Sequence, residues 1–93
     1  MENVYIYGAG IYAFRVLDTL RDLSVKVRNL IVSTMQGNPK ELGNVEVVCM
    51  DAVHLDVNDL ILIAMRKEQA NLVKKKLEDS FPCRCMIVSE DAY

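Results

Sequence analysis

The residues best placed to do chemistry are Gly8, Gly10 and Ala13, which follow the short apolar run Val4-Tyr-Ile-Tyr7 in the pattern Gly-Ala-Gly-Ile-Tyr-Ala. A strand running into Gly-x-Gly-x-x-Ala is the form of a phosphate-cradling turn. Gly8 allows a sharp turn out of the strand, Gly10 removes a side chain where a ligand's phosphate would approach the backbone, and Ala13 lets the next helix pack close to the sheet. The free N–H groups of that helix then face the ligand, with the positive end of the helix dipole behind them. The chemistry implied is anion binding rather than bond making.

Other residues refine that expectation. Ile11 and Tyr12 open the helix, where Tyr12 either stacks on a base or sugar or shields the sheet. Arg66 and Lys67 follow a later apolar run, at the same sheet edge, where a phosphate could pair with them. About 20 residues beyond the glycines, a dinucleotide site usually places Asp or Glu to hold both ribose hydroxyls. This chain has Ser33 there, followed by Thr34, Met35 and Gln36. One hydroxyl cannot grip a diol with two acceptors, and no arginine stands beside it for a 2′-phosphate. The chain is also too short for a second mononucleotide-binding half, so hydride transfer with a nicotinamide cofactor is not expected.

Metal and nucleophile chemistry find little to build on. Cys83-Arg84-Cys85, Cys49 and His54 do not have the spacing of a four-ligand zinc site, and the cysteines are expected to be buried strand residues. His54 has no serine or cysteine partner at a suggestive spacing and is expected at the surface. No nucleophile, base and orienting group stand together, so no catalytic set is expected. The run Lys74 to Lys76 is expected to be a solvated helix face.

The elements that must position these groups alternate. Val4 to Tyr7 and Val25 to Val32 have strand character, as do Val45 to Cys49, Asp59 to Met65 and Cys85 to Val88. Helical spacing runs from Ile11 to about Leu23, with Ala13, Val16, Leu17, Leu20 and Leu23 on one face, and from Lys67 to about Ser80, with Ala70, Val73 and Leu77 inward. Asp51 to His54 predicts one helical turn capped by Asp51. Between Gln36 and Asn44, Gly37, Pro39 and Gly43 leave no room for a long helix. Strands separated by helices pair in parallel, which predicts an α/β, Rossmann-like, three-layer fold with about five parallel strands in the order 3-2-1-4-5. Ligands of such sheets bind beyond the carboxyl ends of the strands, where the Gly8 turn falls between strands 1 and 4.

Composition limits the partners. The chain has 93 residues, 52% of them hydrophobic and 26% charged, with a formal net charge of -2, which fits a single ordered domain spanning residues 1–93. An acidic pI near 5.3 gives no electrostatic reason to bind nucleic acid or an anionic membrane. No segment reaches the roughly 20 apolar residues of a membrane span, and the first strand begins too early to leave room for a signal peptide. The three cysteines, an odd number, argue against a disulfide framework. A cytoplasmic location is therefore expected.

The chain resembles the Rossmann-like N-terminal domain of bacterial nucleotide-sugar acyltransferases, and the related small modules fused to glycosyltransferases of surface-polysaccharide synthesis. The likeness covers nearly all of the chain and rests on Val4-Tyr-Ile-Tyr-Gly-Ala-Gly-Ile-Tyr-Ala13, Gly43-Asn-Val-Glu-Val47 and Asp59-Leu-Ile-Leu-Ile-Ala64. It departs from the acyltransferases at Ile11-Tyr12, where they tend to carry a histidine after the second glycine, and at Ser33, where they tend to carry Asp. It also lacks their left-handed helical half.

The resemblance implies a nucleotide-sugar ligand at Gly8, Gly10, Ile11, Tyr12, Ser33 and Arg66. The chain would then be the non-catalytic module of a surface-glycan transferase. Two alternatives stay open: a regulatory module for NAD or coenzyme A, and a degenerate domain serving as an interaction or homodimerisation surface. An exposed Met35, Met50 or Val53 would favour the last. Because Asp91-Ala-Tyr93 follow the last strand without a closing helix, the chain is expected to be excised from a longer protein carrying a linked transferase domain.

Overall fold

The computed structural model describes residues 3–88. The expected end of the domain at Asp91 to Tyr93 lies outside them. In chain order the elements are β1 (Val4–Tyr7), α1 (Ile11–Asp22), β2 (Val27–Val32), β3 (Glu41–Leu42), β4 (Val45–Cys49), a 3₁₀ turn (Met50–Ala52), β5 (Leu60–Ile63), α2 (Lys67–Ser80) and β6 (Arg84–Ile87).

The result is a mixed α/β fold with one sheet, mostly parallel, in the order β3-β4-β2-β1-β5-β6. Among the described residues six strands stand where about five were expected, so the order of the sheet differs from the one predicted. The difference lies at one edge. β3 pairs antiparallel with β4, Glu41 opposite Glu46 and Leu42 opposite Val45, whereas the remaining pairs are parallel. Gly43 and Asn44 close this hairpin with φ of 55° and 66°. Two consecutive positive φ values make the turn whose twist matches paired strands, and Gly-Asn tolerates them.

Alternation along the strands assigns the two faces. Ile6, Leu30 and Val32 share a buried cluster with Ala13, Val16 and Leu17 of α1. Tyr5, Tyr7, Ile31, Ile61 and Ile63 join Ala70 and Leu77 of α2 in the other cluster. The helices therefore cover opposite faces of the sheet. Ile6, Leu30, Ile31, Ile61 and Ile63 are fully enclosed, and each such side chain contributes about 1.5–3 kcal/mol relative to exposure.

The helix ends follow from local closure. Val25 N–H donates to Leu20 O at 2.8 Å and Ser24 N–H to Arg21 O at 2.9 Å, with Ser24 at φ 60°. This pair of bonds stops α1 at Asp22, leaves Leu23 exposed rather than inward, and delays β2 from Val25 to Val27.

The segment between β4 and β5 corrects two expectations. The helical turn there is 3₁₀ and begins at Met50, so Asp51 lies inside it and makes no side-chain capping bond. Met50 and Val53 do not form an exposed edge. They pack, with Leu55, against the cluster under α2. Asp59 precedes β5 instead of opening it and is a buried polar residue. Its carboxylate accepts Asp56 N–H at 2.8 Å and Asn3 N–H at 3.3 Å, and Leu60 N–H donates to Asn3 O at 2.9 Å, so the starts of β1 and β5 are tied together. Two backbone donors satisfied by one buried carboxylate offset much of its desolvation cost.

Candidate functional site

Three adjacent strands deliver the predicted residues to one edge. β1 lies between β2 and β5, all parallel. Gly8 follows β1, Ser33 follows β2, and Arg66 lies a few residues beyond β5, so the glycine turn is flanked by Ser33 on one side and Arg66 on the other. From this edge α1 leaves toward one face and α2 toward the other. A crevice between two helices that diverge in this way is where ligands of parallel sheets enter.

The glycines have separate reasons. Gly8 has φ 125°, and a Cβ on it would come within 3.3 Å of Ala64 O. Its N–H donates to Ile31 O at 2.8 Å, extending the β1–β2 pairing by one bond beyond Tyr7. A side chain here would meet both backbone strain and the segment leaving β5. Gly10 is different. It has extended backbone as the N-cap of α1, and a Cβ on it would meet nothing within 4 Å. Packing therefore does not require glycine at position 10.

The start of α1 carries no acidic residue in its first turn, and Gly10 makes no side-chain capping bond. Gly10 O accepts Phe14 N–H at 3.0 Å, which begins the helical ladder. The N–H groups of the first turn precede that ladder, and the dipole places partial positive charge beside them. Ala13 is buried and its Cβ lies 3.6 Å from the position a Gly8 Cβ would take, so the small residue does bring helix and strand close.

The remaining predicted residues divide. Ile11 is 60% exposed at the first helical position. Tyr12 is half-buried and packs against the cluster containing Ala13 and Ala64, so part of its ring shields the sheet. Ser33 is exposed, with its carbonyl accepting the Cys49 thiol at 3.4 Å. Arg66 is exposed and caps α2 through its backbone, its carbonyl accepting Ala70 N–H at 2.8 Å.

Sequence reasoning missed the residues that shape the loop beyond Ser33. Thr34 Oγ1 accepts Gln36 N–H at 3.2 Å, and Asn38 Nδ2 donates to Thr34 O at 2.7 Å. Gly37, at φ 78°, completes this turn. The signal was a hydroxyl residue placed ahead of Gly-Asn, a combination that favours local side-chain to backbone bonds. Met35 in this loop is 37% exposed.

Of the cysteines, Cys49 touches the candidate edge, through its bond to the Ser33 carbonyl. Only Cys85 is the buried strand cysteine expected: Cys83 is buried but lies in the bend before β6, and Cys49 ends β4 half-buried, all three being free thiols. Burial pushes the Cys85 thiol up to about 12 and raises Cys83 as well. Such thiols are protonated near neutral pH and poor as nucleophiles. His54 is exposed. Among the described residues no group of three or more His, Cys, Asp or Glu could hold a metal ion, and no helix is long and apolar enough to cross a membrane.

The class defined by this geometry is a mixed α/β domain with a mostly parallel sheet and the N-terminus of α1, with glycine at its N-cap, at the carboxyl edge. No family model matches the chain, and no curated protein or solved structure does either.

Proposed function

We propose that this chain is a Rossmann-like, non-catalytic module that binds a phosphate-bearing nucleotide at the turn from Gly8 to Tyr12, with a nucleotide-sugar as the favoured ligand. The observation that carries the reading is Gly10: a glycine with open space at its Cβ, as the N-cap of α1, between β1 and the exit of β5. A phosphate there would receive first-turn N–H groups of α1. Ser33 contributes one hydroxyl to a ribose or sugar, and Arg66 supplies a charge for a second phosphate.

The absence of a carboxylate in the 33–36 segment argues against NAD, while the nucleotide-sugar preference comes from the resemblance, and coenzyme A stays the lesser alternative. The surface-glycan context rests on the resemblance of the glycine turn and the two later strand segments to modules of such transferases. In that context the domain works in the bacterial cytoplasm beside a covalently linked transferase domain.

A second reading has its own observation. Ile11, Phe14 and Met35 are exposed apolar residues of the first turns of α1 and of the loop after β2. They favour an interaction or homodimerisation surface at the same edge.

Thermal-shift titration of the wild type and Gly10→Val with uridine and adenine nucleotides separates the two. The valine enters open space at an extended backbone position, so the fold is retained while phosphate access is blocked. A shift in the wild type that the variant loses supports the nucleotide reading. Equal shifts in both proteins place the ligand elsewhere. No shift with any nucleotide favours the interaction surface.

A further inference from the structure

We draw no further inference here: the strongest candidate, the apolar patch that exposed Met86 of β6 and half-buried Leu62 of β5 leave on the α1 side of the sheet, is an unpartnered face, and nothing in the structure shows what covers it.

Discussion

Gly43 in the β3–β4 turn lies against Leu17 of α1, so closely that a Cβ at position 43 would stand 2.9 Å from Leu17 Cδ2. Leu17 is itself 1% exposed and cannot swing aside without disturbing the cluster it shares with Ile6 and Leu30. The hairpin is therefore docked on the helix, not merely appended to the sheet edge.

Gly43→Ala is expected to lose more stability than Gly37→Ala. Both glycines have positive φ, 55° and 78°, so both substitutions carry the left-handed backbone cost of about 1–2 kcal/mol. Only at Gly43 is there a contact to violate, since a Cβ at Gly37 meets nothing within 4 Å. Overpacking adds about 1–3 kcal/mol there. Urea unfolding of both variants measures the difference, and equal losses would mean that the hairpin does not rest on Leu17.

Ser24→Gly is expected to stabilise the domain by about 0.5–1 kcal/mol, because Ser24 holds φ 60° in the closure of α1 and glycine adopts that region without the Cβ penalty. For a domain of this size that corresponds to roughly 2–8 °C in Tm. The bonds from Ser24 and Val25 N–H use the backbone alone and survive the change. A lower Tm would show that the serine side chain contributes something the backbone closure does not.

Alkaline pH is expected to destabilise the fold through its thiols. Burial raises Cys85 from 9.0 to about 12 in the folded chain, and Cys83 also lies above 9.0. Below about pH 9 both thiols keep their protons whether folded or not, so this contribution is whole. As the pH rises from about 9 toward 12, the unfolded chain releases protons that the folded chain retains, and stability falls. Tyr5, raised above 10.0 chiefly by burial and then by Asp59, acts in the same direction. Urea midpoints measured between pH 8 and 11 should decline, and the decline should be shallower in Cys85→Ala than in the wild type.

Ser33→Asp is expected to raise NAD affinity at least tenfold over a weak or undetectable wild-type value. Each charge-assisted hydrogen bond a carboxylate would make to the ribose is worth about 1.5–3 kcal/mol. Ser33 is exposed, and Cys49 bonds to its backbone carbonyl, so the substitution leaves that contact in place. Calorimetric titration reads both proteins. Micromolar NAD binding by the wild type would overturn the preference for a nucleotide-sugar.

Helix α2 over Lys67–Ser80 and the start of α1 at Ile11 were legible in the sequence, because helical periodicity and a glycine turn are local properties. So was the delivery of Gly8, Ser33 and Arg66 to one edge, since each follows a short segment of strand character and strands separated by helices pair in parallel. A two-residue strand has no such signal. Glu41–Leu42 becomes β3 only because β4 offers it partners and because Gly43 fits beneath α1.

Leu23 illustrates the same limit. Its spacing is helical, yet the backbone closure at Ser24 ends the helix first and leaves it 67% exposed. Asp59 reads as the polar first residue of an apolar strand. What buries it is the meeting of β1 and β5, whose starts it joins through Asn3 and Asp56 N–H groups. The thiol of Cys49 reaches Ser33 across 16 positions of chain. The sequence by itself determined which of the longer segments curl or extend and where the backbone can turn, because those follow from neighbours along the chain. Tertiary structure decided which polar groups are satisfied at the sheet's two ends, because their partners come from strands that only folding brings side by side.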